Sequence, residues 1–405
     1  MVRISGPRAG AVLEALAGKI PAPRAARLRT LRRSGDGAPL DRALVLWFPG
    51  PASATGEDLA ELHLHGGRAV VAAVLAAVGS VEGLRPAEAG EFTRRAFENG
   101  RIDLAEAEGL ADLIAAETET QRQSALALAE GGLGRRVADW QLILLRVSAQ
   151  VEAELDFSDE GDVGETGAHD TAARLDALLG EIRAMLAVPP AERLRDGVRV
   201  VLAGPPNAGK SSLFNALVDR EAAIVSEIAG TTRDRIEAPV AIDGVPLLLI
   251  DTAGLRALTS DAIEAIGIGR AEDAVAGADI VLWLGEERER PQGAMLIAAK
   301  ADLEPDRPGL AVSIRAGEGL DALRAALLER ARALLPRPGV LALNRRHRAI
   351  LSDVATALEA ARASSDPLIL AEHLRDARAQ LDKLTGRAGV EDMLDALFGA
   401  LCIGK

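Results

Sequence analysis

The chain has 405 residues, 48% of them apolar, enough for two or three domains that each bury a core. Its 47 basic and 60 acidic side chains give a net charge of −13, which argues against a surface coated for nucleic acid and makes any RNA contact local. A single cysteine excludes a disulfide framework, and without an N-terminal apolar run or a long apolar span the expected compartment is the cytoplasm.

Residues 1–98 mix short strand-like runs, such as 43–48, with Pro/Gly punctuation and a helical stretch over 69–78, which predicts a small α+β domain. Inside it runs the best local basic stretch, Lys19, Arg24, Arg27, Arg29, Arg32 and Arg33, with two readings open: an RNA contact or a solvated face. Over 99–196 the pattern turns to helical Ala/Leu/Glu periodicity, interrupted at Gly131-Gly132 and again around 156–169. Strand-like and helix-like segments alternate over 197–335, as in an α/β domain built on a parallel, Ras-like sheet. After Pro336-Arg337-Pro338 the helical pattern resumes over 344–400, within a last segment of 336–405. The expected architecture is therefore multidomain: an α+β N-terminal domain, then an all-α domain made of both helical flanks with the α/β domain inserted between them.

The α/β segment carries the chemistry. Gly204-Pro205-Pro206-Asn207-Ala208-Gly209-Lys210-Ser211, followed by Ser212, comes after a predicted strand over 198–203 and opens a helix near Lys210. In that context, backbone N–H groups and the lysine surround nucleotide phosphates while the serine hydroxyl takes Mg²⁺. Some twenty residues on, Gly230-Thr231-Thr232-Arg233-Asp234 offers Thr232 to complete the Mg²⁺ shell. Asp251-Thr252-Ala253-Gly254 ends an apolar strand, with Asp251 placed to reach Mg²⁺ through water and the Gly254 N–H to meet a γ-phosphate. In this order the three segments describe a switch GTPase.

Guanine reading departs from pattern. Such proteins use Asn-Lys-x-Asp, and the stretch here is Ala299-Lys300-Ala301-Asp302, which keeps the base-reading carboxylate and lacks the amide. The loss predicts GTP binding weaker by about 1–3 kcal/mol, the alternative being that base selectivity has lapsed. Ser313-Ile314-Arg315 stands where a backbone N–H would meet the guanine oxygen. Residues 285–294 are also too few for a helical crossover between the strands at 280–284 and 295–298, so one helix beside the base pocket is expected to be lost or shortened.

Together with Asp251-Thr252-Ala253-Gly254-Leu255-Arg256 and the terminal Cys402-Ile403-Gly404-Lys405, these motifs make the chain similar to the MnmE (TrmE) family of tRNA uridine-modification GTPases. The N-terminal part carries further segments of that resemblance: Arg3-Ile4-Ser5-Gly6-Pro7, Thr55-Gly56-Glu57-Asp58, His63-Leu64-His65-Gly66-Gly67, and Gly90-Glu91-Phe92-Thr93-Arg94-Arg95. The resemblance implies a folate-binding, dimerising N-terminal domain (1–98), a helical domain (99–196 and 336–405) and an inserted GTPase domain (197–335). It implies a homodimer, a heterotetramer with the FAD- and NADH-using partner MnmG, tRNA as substrate, and a 5-formyl- or 5,10-methylene-tetrahydrofolate donor of the one-carbon unit. The product would carry an aminomethyl or carboxymethylaminomethyl group at C5 of the wobble uridine. Arg3, Glu61, Arg101 and Lys405 fall where the family holds folate, with arginine at 101 in place of the usual lysine. K⁺ would sit on Asn207, Ser226, Ile228 and Thr231, and Glu264 would orient the attacking water. Cys402 stands either as a participant in the modification chemistry or as an inert thiol. Two departures accompany the match: the family's preceding strand and glycine-rich turn are missing before Arg3, so either the start lies upstream or folate binding is impaired, and Ala54 replaces an aromatic residue. The runner-up functions are a ribosome-assembly switch GTPase and a degenerate member of the same family.

Overall fold

A computed structural model describes residues 1–156, 164–220, 237–253, 272–387 and 397–398. The chain divides into two compact units, one of residues 1–111, 133–137 and 382–405, the other of residues 112–132 and 138–381.

In the first unit β1 (Val2–Ser5), β2 (Arg27–Arg32), β3 (Pro39–Phe48) and β4 (Leu59–His63) pair antiparallel in the order β1-β4-β3-β2. The period-2 alternation of β3 sends Ala43, Val45 and Trp47 into the core and leaves Arg42 and Leu44 exposed. Onto the buried face pack α1 (Ala9–Ala17), through Val12, Leu13 and Leu16, and α2 (Arg68–Gly79), through Val74 and Ala77. Gly18 ends α1 in the left-handed conformation, its N–H closing onto the Glu14 carbonyl. Next come α3 (Glu91–Glu98) and α4 (Leu104–Ala115).

In the second unit the Thr118 side chain and Gln121 form a capping box that starts α5 (Glu119–Ala129). Two long helices follow, α6 (Gly132–Asp156) and α7 (Gly164–Leu186), then a short α8 (Glu192–Arg195). Beyond the α/β segment lie α11 (Arg345–Ala363) and α12 (Pro367–Thr385). Helix α7 meets α11 through the ion pairs Arg183–Glu359 and Arg362–Asp176, both 2.6 Å, so helices from either side of the α/β segment pack together. Trp140, on α6, is buried and donates its Nε1–H to Glu181 at 2.9 Å.

The α/β segment is a six-stranded sheet made of β5 (Val198–Ala203), β6 (Glu237–Ile242), β7 (Val245–Asp251), β8 (Ile280–Trp283), β9 (Met295–Ala299) and β10 (Leu310–Val312). In the order β10-β9-β8-β5-β7-β6 five strands run parallel, and the edge strand β6 is antiparallel to β7. The core under the sheet takes Leu213, Phe214 and Leu217 from α9 (Lys210–Arg220) and Leu323, Leu327 and Ala331 from α10 (Leu320–Leu334). The expected loss of a helix between β8 and β9 is met by a single 3-10 turn, Glu287–Glu289. The next crossover, residues 300–309 between β9 and β10, also contains no helix. Two successive parallel connections shorter than the usual dozen residues thus trim this fold beside the base loop. Among the described residues no helix is long and apolar enough to cross a membrane.

Candidate functional site

Strand β5 is buried along most of its length between β7 and β8, and its C-terminal end delivers the phosphate loop. Gly204 is required there: at φ 146° it leans on the end of β8, and a Cβ would sit 3.2 Å from the backbone of Leu284 and Gly285. Asn207, at φ 59°, and Gly209, at φ 97°, turn the chain into α9. Lys210 is 5% exposed and donates Nζ to the carbonyls of Gly204 (3.0 Å) and Pro205 (2.7 Å), which holds its ammonium over the loop. Asn207, Ser211 and Ser212 are exposed at the mouth of the loop, with Ala208 half-buried. The first turn of α9 adds orphan N–H groups and the positive end of the helix dipole, a ready site for phosphate.

The end of β7 supplies the acid. Ser211 Oγ donates to Asp251 Oδ2 at 2.6 Å, and the Ala253 N–H donates to Asp251 Oδ1 at 2.9 Å. A hydroxyl beside a carboxylate, next to a phosphate loop, fits Mg²⁺, a hard cation that keeps several waters and needs few protein ligands. Thr252 is buried and spends its hydroxyl on the Leu202 carbonyl at 2.8 Å, so it braces β7 against β5.

The base loop assembles at the ends of β9 and β10. Lys300, at φ 61°, donates Nζ to the Asn207 carbonyl at 2.9 Å and so ties the base loop to the phosphate loop. Ser313, fully buried, donates Oγ to Asp302 Oδ1 at 2.7 Å, while its own N–H goes to Glu318 at 3.0 Å. The Ala316 N–H donates back to Ser313 Oγ at 3.1 Å, which closes the turn that carries Ile314 and Arg315. Ala299 is buried, and a Cβ built at Gly209 would lie 3.8 Å from the Ala299 Cβ. An asparagine at 299 would therefore project its amide at the phosphate loop. Ala299→Asn is expected to tighten GTP binding about tenfold, the worth of roughly 1.4 kcal/mol of buried hydrogen bonding. Titration with a fluorescent, non-hydrolysable GTP analogue measures it, and unchanged affinity would show that the amide has no partner here.

No sequence motif singles out Arg307. Its Nη2 donates to the carbonyls of Leu284 (3.0 Å) and Gly285 (3.1 Å), the backbone on which Gly204 rests. Backbone carbonyls that leave the sheet need a donor, and here a guanidinium from the second helix-less connection supplies it. The shortness of residues 300–309 is the one signal the sequence offers.

In the first unit the motif segments converge. Arg95 bridges Glu57 (2.8 Å) and Glu91 (2.7 Å), Ser5 donates to Glu57 at 2.8 Å, and Asn99 donates to the Thr55 carbonyl at 2.8 Å. Gly56 sits so close to Asn99 that a Cβ would come within 2.7 Å of it, and the Arg101 stem lies alongside. Burial pushes the Glu91 carboxyl up, but the Arg85 fork, the Glu88 N–H and Arg95 outweigh it and hold its pKa at about 2. Arg3 lines a cavity of about 320 Å³ with Phe92 and Arg95, its guanidinium 5.7 Å from the Phe92 ring. Glu61 lies across the β1/β4 pairing from Arg3, 3.8 Å from it, and also meets His63 at 3.2 Å. Arg101 is not part of that cavity lining. Ser226, Ile228, Thr231, Thr232, Gly254, Glu264, Cys402 and Lys405 lie outside the described residues.

A Ras-ordered sheet whose strand ends present a lysine-bearing phosphate loop, a Ser–Asp pair and a bonded Asp302–Ser313 pair defines a P-loop nucleotide-binding protein. A family profile described as "MnmE helical domain" matches residues 104–402, and one described as "GTP-binding protein TrmE N-terminus" matches residues 1–101. The tRNA modification GTPase MnmE of Rhizorhabdus wittichii is 60% identical over 410 residues, covering 100% of this chain and 93% of that one. Those of Erythrobacter litoralis, 58% identical, and Novosphingobium aromaticivorans, 56% identical, each match 100% of this chain and 96% of their own. The chain belongs to the MnmE family of tRNA modification GTPases.

Proposed function

We propose that this chain hydrolyses GTP as a subunit of the machinery that modifies the wobble uridine of tRNA. The observation that carries the reading is the joining of phosphate loop and base loop by Lys300 and Asn207, with Asp302 and Ser313 already bonded to each other. Lys210 and the N–H groups around it bind the β- and γ-phosphates. Ser211, with Thr232, would hold Mg²⁺ while Asp251 orients its water. Asn207, with Ser226, Ile228 and Thr231, would hold K⁺. These cations, when bound, supply positive charge where the γ-phosphoryl group leaves. Glu264 is assigned the positioning of the attacking water, and Cys402 a part in the uridine chemistry.

The Arg3–Glu61 pair beside its cavity suits a folate, the cation for the glutamate tail and the carboxylate for the pterin donor edge, with Arg101 and Lys405 completing the set. The proposal includes the 1–98, 99–196, 197–335 and 336–405 domain division, a homodimer, and MnmG as the redox partner. Ala299 and the two helix-less crossovers favour a second reading, a family member with relaxed guanine selectivity. Turnover of GTP and ATP by the purified chain in potassium and sodium buffers separates the two. GTP-specific stimulation by potassium is the expected result, and equal turnover of both nucleotides would overturn guanine selectivity.

A further inference from the structure

The connection from β9 to β10, residues 300–309, carries Asp302 near one end and Arg307 near the other. It supports the phosphate loop at two points. Lys300 donates to the Asn207 carbonyl at 2.9 Å, in the middle of that loop. Arg307 donates Nη2 to the carbonyls of Leu284 and Gly285, at 3.0 and 3.1 Å, in the stretch of backbone against which Gly204 opens the loop. That stretch is tied down on both sides: the Leu284 N–H donates to the Ala203 carbonyl at 2.8 Å, and the Trp283 Nε1–H to the Glu286 carbonyl at 2.9 Å. The connection itself is folded back on the Lys300 carbonyl, which accepts from the N–H groups of Leu303 (2.8 Å) and Glu304 (3.2 Å).

A guanidinium placed here can serve merely to satisfy two carbonyls. Its position gives it a second effect. The Gly204 carbonyl, together with that of Pro205, holds the Lys210 ammonium, so residues 284–285 lie one contact away from the backbone that aims the phosphate-binding charge. The Glu304 carboxylate stands 3.8 Å from Arg307 and is 65% exposed, so the pair adds little and the guanidinium acts chiefly through the two carbonyls. Shifts of about 1 Å far from the reacting atoms cost enzymes up to about 100-fold.

We infer that Arg307 is a positioning residue for GTP: by fixing residues 284–285 it fixes where Gly204 starts the phosphate loop, as Lys300 fixes Asn207 inside it. The inference rests on the reading of this loop as the GTP site and deepens it. Loop N–H groups meet the phosphates in the ground state as in the transition state, so the loss of Arg307 acts mainly on KM. A purely structural role behaves differently, because a smaller folded fraction lowers the apparent kcat and leaves KM as it is.

The test is steady-state GTP hydrolysis by the full chain as wild type, R307M, R307Q, R307K and E304Q, with stopped-flow dissociation of a fluorescent GDP analogue and melting temperature alongside. R307M keeps an unbranched stem without a donor, and the R307Q amide is too short to reach the carbonyls. Both should raise KM and the GDP dissociation rate at least about tenfold, with kcat held within about threefold. The two bonds come from a single nitrogen, so an ammonium can make them at shorter reach, and R307K should raise KM only about threefold. E304Q should match wild type. Wild-type KM and dissociation rate in R307M and R307Q would overturn the inference, whether or not the melting temperature falls. Should neither of them fold, R307K decides, and a wild-type KM in it would overturn the inference as well. An E304Q defect equal to that of R307Q would move the effect to the ion pair and overturn the route through the carbonyls. A wild-type chain that binds no GTP would overturn the reading of the site itself, a failure distinct from these.

Discussion

Lys210→Ala is expected to lower kcat/KM for GTP by about 100- to 1,000-fold, the loss typical of removing one pre-aimed charge from a developing anion. The Nζ of Lys210 is anchored by two loop carbonyls, at 3.0 and 2.7 Å, and the side chain is 95% shielded from solvent, so its charge acts at short range and low dielectric. Lys210→Arg should recover little, since a planar fork does not replace a compact ammonium inside a closed loop. Phosphate release under saturating and limiting GTP measures both variants. Near wild-type turnover in Lys210→Ala would remove this loop from the reaction.

Asp302→Asn should shift base preference from GTP toward xanthosine triphosphate. A carboxylate accepts from both the N1–H and the 2-amino group of guanine, while an amide accepts one bond and donates one, which suits the 2-carbonyl of xanthine. The Ser313 hydroxyl, now 2.7 Å from Asp302 Oδ1, can donate equally to an amide oxygen, so the loop itself should survive the change. GTP affinity is expected to fall about 100-fold, roughly 2.7 kcal/mol, the scale of a charged hydrogen-bond set removed from a desolvated site. Competition titrations with the two triphosphates decide it. Unaltered GTP binding would mean that Asp302 does not read the base.

Much of this is legible without the fold. The strand over 198–203, the phosphate loop and the helix starting at Lys210 follow one another in sequence, and each is dictated by neighbours a few residues away. The missing helix after β8 can be counted from residue spacing alone. The second helix-less crossover can be counted too, but a loop of that length between 300 and 309 reads as ordinary unless the strand after it is recognised, and β10 has only three residues. Arg307 stays out of sight with it.

The amino-acid sequence by itself determined the class of chemistry and the family, because phosphate-binding loops and motif segments are short stretches whose backbone requirements are local. The tertiary structure alone decided the partnerships across long separations: Arg95 with Glu57, Ser5 with Glu57, Lys300 with the Asn207 carbonyl, and Arg307 with the carbonyls on which Gly204 rests. Those depend on which strands become neighbours and on which charges find counter-charges. Packing of the whole chain sets both, and no local pattern encodes either.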